Sequence, residues 1–281
     1  STTDLIARSI GHAITDDLGQ PSVVENRPGA GGTIGAAQVA LGTPDGHLLV
    51  MGTVASHAVA TILMPSAKYD PVEDFEPITL IADAPGVLVV HRSLPVSNLK
   101  ELMSYLKSNP GMDYASAGVG TTTHLSGEAL QLAAGVPLTH IPYKAVGQAF
   151  TDLLAGTVKM MFYQYPSVKQ YVASGDLKLI AVTSRKRVST LPDVPAISEL
   201  YPDYDFSAWF GIFAPAKTPK PIIDRLYSAI TKAMKTPEMQ QIMVEQGLEP
   251  NGMPPNEFRS FMKTDIVKWK KIIADTNAKP G

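Results

Sequence analysis

Short apolar runs alternate with amphipathic stretches along most of this chain, and that alternation limits the folds open to it. Leu5, Ile6, Ile10, Ile14 and Leu18 recur at helical spacing. They predict a helix over 3–18, capped by Thr2 or Thr3 and stopped by Gly19. Ser22-Val23-Val24-Glu25 reads as a strand, 33–41 as a helix and 48–51 as a strand. Further strands are expected at 87–90, 114–116, 139–141, 158–162 and 179–182. Helices at 98–107 (opened by Ser97), 122–134, 145–154 and 166–174 separate them. A strand at 209–213 and helices at 221–234, 237–246 and 256–274 complete the chain. Such alternation predicts an α/β protein with mostly parallel sheets and flanking helices.

The 281 residues suit two domains, or one large one. Apolar residues make up 44% and charged residues 18%, a globular balance. With 24 Lys+Arg against 26 Asp+Glu the net charge is −2 and no charge block stands out, which argues against nucleic acid or an anionic membrane as partner. Cysteine is absent, so thiolate metal sites, disulfides and cysteine nucleophiles are excluded; an oxidising compartment is compatible with this. Residues 48–64 carry no Asp, Glu, Lys or Arg, yet Gly52, Thr53, Ser56, His57 and Thr61 break the run. They read as strand, turn and helix rather than a membrane span.

The segment Glu25-Asn26-Arg27-Pro28-Gly29-Ala30-Gly31-Gly32-Thr33 sits where a phosphate loop would. No lysine lies between Gly29 and Gly46, so the Walker pattern fails. Gly35 arrives one position late for a dinucleotide fingerprint, and Gly52-Thr53-Val54-Ala55 offers no ribose-binding acid. The glycines are expected to permit a tight turn and close helix packing.

Val24-Glu25-Asn26-Arg27-Pro28-Gly29-Ala30-Gly31-Gly32-Thr33-Ile34-Gly35 resembles the signature of the Bug family, the periplasmic receptors of tripartite tricarboxylate transporters. The likeness continues through Thr43-Pro44-Asp45-Gly46 and Tyr69-Asp70-Pro71-Val72-Glu73-Asp74-Phe75. Tyr114-Ala115-Ser116-Ala117-Gly118, Pro142-Tyr143-Lys144, Leu191-Pro192-Asp193-Val194-Pro195 and Trp209-Phe210-Gly211 extend it over nearly the whole chain. The resemblance implies a two-lobe periplasmic binding protein fold, type II-like, with no catalytic activity, cofactor or metal. It implies a monomer that passes a small organic carboxylate to membrane permease subunits. One lobe is expected at 1–91 with 209–281 and the other at 92–208, joined by two crossing strands at a hinge. The family's first strand and its Pro-Gly-rich ligand loop would precede Ser1. The sequence is therefore expected either to omit part of the protein, with core and backbone groups left open, or to have an altered first lobe.

Four loops carry hydroxyls and small residues at expected strand-to-helix junctions, where free amides attract anions. They supply the candidate ligand residues Ser1, Thr2 and Thr3; Thr53, Ala55 and Ser56; Ser116, Ala117, Gly118, Thr121 and Thr122; and Tyr143. The alternative for this loop is a plain helix cap by Thr121 or Thr122, and ligand binding is expected over it. Lys144 either attracts a carboxylate or faces solvent. His57 and His124 lack the partners of a metal pair or a Ser–His–Asp triad and read as supporting polar residues. The remaining candidates are Tyr163 and Gln164, in Met161-Phe162-Tyr163-Gln164-Tyr165-Pro166. Family members commonly show Phe-Asp-Asn there, so this chain lacks the acid that would pair a ligand amine. An aromatic or aliphatic mono- or dicarboxylate, terephthalate for example, is therefore expected over an amino acid. Tyr163 and Tyr165 are both expected to offer ring faces with hydroxyl tips; the alternative is that Tyr165 packs in the lobe core and only Tyr163 faces the cleft. Two other readings stand beside transport: a nucleotide-dependent α/β enzyme, and a ligand sensor that presents its closed form to a signalling partner.

Overall fold

The computed structural model describes residues 2–64, 67–119 and 121–276. Helix α1 spans Thr2–Ala13 and α2 Thr15–Leu18. The single helix expected over 3–18 is thus broken at Ile14. The Thr15 hydroxyl bonds back to the Gly11 carbonyl at 3.0 Å, a local alternative to the helical ladder. Gly19 ends α2 in the left-handed region, as expected. The expected strand at 22–25 does not form: the segment has no sheet partner and Val23 is exposed. Instead, Arg8 donates to the Val24 carbonyl. A 3-10 turn at Ala30–Gly32 leads into α3, Thr33–Ala40. Gly29, Gly31 and Gly32 all have positive φ, and a Cβ on Gly32 would lie 3.3 Å from that of Ser56. The glycines therefore serve turning and close approach.

Strand β1 is Val50–Thr53; a π turn at Ala55–Val59 and α4, Ala60–Leu63, follow. Strand β2 runs from Phe75 to His91, well beyond the four residues expected. Then come α5 (Leu99–Ser108), β3 (Met112–Ser116), α6 (Thr122–Ala134), β4 (Leu138–Pro142) and α7 (Val146–Ala155). Asn98, not Ser97, caps α5: its side chain accepts from the Glu101 amide, and Glu101 accepts from the Ser97 amide. Next are β5 (Met160–Gln164), α8 (Tyr165–Ala173), β6 (Leu177–Val182), β7 (Ser207–Pro215), α9 (Lys220–Ala233) and α10 (Pro237–Glu245). Strand β8 (Glu249–Met253), which the sequence did not suggest, precedes α11 (Pro255–Thr276). Among the described residues no helix is long and apolar enough to cross a membrane.

The chain forms two compact units, one of Ser1–Asp83 with Trp209–Lys271, the other of Ala84–Ala208 with Ile272–Gly281. Strands β2 and β7 contribute to both. In the first unit β1 pairs antiparallel with β7, β7 neighbours β2, and β8 pairs antiparallel with β2. Its core includes Ile6, Ile10, Phe75, Trp209, Phe213 and Phe258. In the second unit β4, β3 and β5 are parallel neighbours, and β2 enters antiparallel between β5 and β6. Four of its five strands thus run one way. Val87, Val89, Met161, Leu153 and Val168 form the core beneath them.

Candidate functional site

Strands β3 and β5 of the second unit end side by side, and the loops that leave them carry most of the candidate residues. Thr121 caps α6: its hydroxyl accepts from the His124 amide at 3.3 Å. The first turn of such a helix presents amides with no intrahelical acceptor. At that end lies a small recess. Thr122, Thr123, Ser126 and Gln164 give it hydrogen-bonding groups. Phe162, Tyr163 and Phe206 give it ring surface, and Ala84, Gly86 and Ala208 leave it room. None of these lining residues is charged. The Tyr163 ring meets Phe150 edge-on at 5.2 Å, and burial raises its phenol pKa. Tyr165 packs against the core and does not line the recess, so the two tyrosines do not share it.

The loop between β3 and α6 is internally bonded. The Ala117 amide donates to the Thr123 hydroxyl at 3.0 Å, and the Gly118 amide donates to Ser116 at 3.1 Å. Thr121 donates to the Gly118 carbonyl at 2.7 Å. Ser116 also lies 2.6 Å from Nε2 of His140, which stacks on His124 with ring centres 3.9 Å apart. Burial lowers the pKa of both imidazoles, that of His140 to about 4. The Tyr143 N–H donates to the Ser116 carbonyl and its hydroxyl donates to Asp152 at 2.8 Å. Burial and then Asp152 push its phenol to about 12. Lys144 is exposed.

The candidates in the first unit fall into two places. Thr53 and Ser56 bond one another at the end of β1, where the Thr53 amide donates to the Ser56 hydroxyl at 3.1 Å. Ser56 also lies 2.9 Å from Nδ1 of His57, a fully buried ring stacked on Phe213. Ala55 beside them is exposed. Thr2 instead turns to Gln246, which accepts its hydroxyl at 2.8 Å. Thr3, next to it on α1, is partly buried. Ser1 lies outside the described residues.

The structure therefore gathers Thr122, Tyr163 and Gln164 at one recess, with Ser116, Ala117, Gly118 and Thr121 in the adjoining loop. Sequence reasoning missed Ser126, Phe206, Gly86 and His140. Ser126 lies four residues beyond Thr122 on α6, a spacing that could have found it. Among the described residues no cluster of His, Asp or Glu could hold a metal ion.

Comparison with known proteins gives this arrangement its context. The family model for the tripartite tricarboxylate transporter family receptor matches residues 6–278. Protein BugT of Bordetella pertussis is 36% identical over 281 residues, covering 99% of this chain and 86% of BugT. An R. palustris protein solved with adipate superposes with a TM-score of 0.78 at 32% identity, covering 99% of this chain and 94% of that one. MatC from Rhodopseudomonas palustris, with bound malate, gives 0.73 at 31% identity, covering 96% and 94%. With a match over nearly its full length, the chain belongs to the tripartite tricarboxylate transporter receptor family, a family of solute-binding receptors and not of enzymes.

Proposed function

We propose that this receptor captures a small organic carboxylate in the periplasm and delivers it to membrane permease subunits. Its relatives with adipate and malate support the ligand class. The observation that carries the finer reading is that, among the described residues, none that lines the recess beside Tyr163 is charged. A ligand ammonium there would lose its water and gain no counter-charge, a cost of several kcal/mol by the usual desolvation estimates. Ring faces and hydroxyls suit an uncharged ligand body. An aromatic or aliphatic mono- or dicarboxylate therefore fits better than an amino acid.

The test is a thermal-shift panel of terephthalate, benzoate, adipate, malate, citrate, aspartate and glutamate. A ligand at 100 times its Kd stabilises by about 2.7 kcal/mol, readily seen in a melting curve. The expected result is a shift with an acid that lacks an amine and none with aspartate or glutamate. Tyr163→Asp should weaken the acid that binds by about tenfold or more, since it sets a carboxylate beside the ligand. Tight aspartate or glutamate binding by the unaltered chain would refute the ligand class.

A further inference from the structure

Five hydrogen-bonding groups of the loop between β3 and α6 form two chains whose directions can be read from proton counting. Ser116 has one hydroxyl proton and two nearby acceptors: His140 Nε2 at 2.6 Å and the Gly118 carbonyl at 3.2 Å. The carbonyl already receives both the Thr121 hydroxyl at 2.7 Å and the Thr121 amide at 3.4 Å, which occupy its two lone pairs. The Ser116 proton therefore goes to the imidazole, and the Ser116 oxygen is left to accept the Gly118 amide. Since Thr121 spends its proton on Gly118, Thr123 must donate to Thr121, 2.9 Å away, and accept the Ala117 amide. Each of these five groups then has a partner for its proton, on condition that Nε2 of His140 offers a lone pair.

We infer that His140 is a positioning residue for ligand capture: its neutral imidazole, with the proton on Nδ1 and the lone pair on Nε2, sets the direction of the Ser116–Gly118–Thr121–Thr123 hydrogen bonds that shape the loop at the start of α6. This rests on the carboxylate-capture reading for its consequence, but the loop geometry stands by itself. A protonated His140 donates at Nε2, so Ser116 must turn its own proton to the Gly118 carbonyl and compete there with Thr121. The loop then loses its single hydrogen-bonding pattern, and ligand affinity falls as the pH drops.

The surroundings of His140 keep it neutral near pH 7. His124 on α6 stacks on one face and Tyr114 on β3 lies 5.1 Å away. Glu128, the carboxylate in this cluster, is engaged elsewhere: it accepts the Tyr114 hydroxyl at 2.7 Å and lies 3.7 Å from His124 Nε2. Its charge favours a proton on His124, and a charged His124 disfavours one on His140. Burial acts on both rings in the same sense.

The experiment follows the amide resonances of the ligand-free, isotope-labelled chain through an acid titration, with the His140 ring followed in parallel. The Gly118 amide should move with the same midpoint as His140, and that movement should vanish in His140→Gln, whose amide oxygen still accepts from Ser116. A Gly118 resonance indifferent to His140 titration would overturn the inference. With adipate as the probe, His140→Leu should bind about tenfold more weakly than the unaltered chain, and His140→Gln within about twofold, without the acid-side loss. Equal affinity for His140→Leu would also overturn it. If the unaltered chain binds no acid in the panel, the carboxylate reading fails, while the amide titration still decides the role of His140.

Discussion

Asp265 offers the sharpest test of how the first unit is held together. One oxygen of this buried carboxylate accepts both Trp209 at 2.8 Å and Trp269 at 3.0 Å, and the Lys268 ammonium lies 2.6 Å from the other. The two indoles are themselves buried, so Asp265→Ala strips their N–H groups of this acceptor in a place water does not reach. Bonds to a charged acceptor contribute about 1.5–3 kcal/mol each, and breaking a buried charged network typically costs about 3–5 kcal/mol. At about 2–4 °C per kcal/mol for domains of this size, the melting temperature should fall by about 10 °C. Because Asp265 uses one oxygen for both indoles, Asp265→Asn can keep both bonds and should lose about half as much. The chain has two tryptophans and both touch this carboxylate, so emission during a urea titration reports the region directly. A loss below about 1 kcal/mol for Asp265→Ala, or an equal loss for the two variants, would refute the reasoning.

Two further outcomes follow from buried polar groups. Thr183 is fully buried, accepts the Gly86 amide at 2.8 Å and donates to the Phe206 carbonyl at 2.7 Å; Thr183→Val should cost about 2 kcal/mol in denaturant unfolding, and a change under about 0.5 kcal/mol would show those bonds to be idle. Burial lowers the His57 pKa from 6.5 to about 3, so the unfolded chain takes up the proton first. The stability tied to its neutral form is complete above pH 6.5 and falls by about 1.4 kcal/mol per pH unit as acid is added, down to the folded value. Melting curves at pH 7 and pH 5 should therefore diverge more for the unaltered chain than for His57→Leu, and parallel behaviour would count against a buried neutral ring.

The elements that the sequence revealed most clearly carry their own punctuation. Helix α6 was legible to the residue because Thr121 caps it and Gly135 stops it. The first half of β2 was not, since Pro77, Asp83, Pro85 and Gly86 interrupt its apolar run; it is a strand because β7 and β8 flank it. Strand β8, Glu-Pro-Asn-Gly-Met, has no strand signal of its own and exists through its pairing with β2. Conversely, Val23 and Val24 look like a strand and find no partner. The same division runs through the site. Hydroxyl-rich loops at junctions can be read in one dimension, and so Thr121 and Thr122 stand among the candidates; Tyr163 entered through its departure from the Phe-Asp-Asn pattern. His140 reaches Ser116 across 24 residues, and Tyr204 reaches the Ser126 carbonyl across 78, which no local pattern encodes.

The division of the chain also orders its own assembly. The second unit is drawn chiefly from one continuous stretch, Ala84–Ala208, whereas the first waits for Trp209–Lys271. Strand β1 has its registered partner in β7, with Val50 opposite Phe213. During synthesis β1 therefore emerges long before the strand that covers it, and its apolar edge stays unpaired while the second unit can already close. The topology thus leaves β1 and the first half of β2 without β7 and β8 until the end of synthesis, so fast completion of those two strands matters most for the first unit.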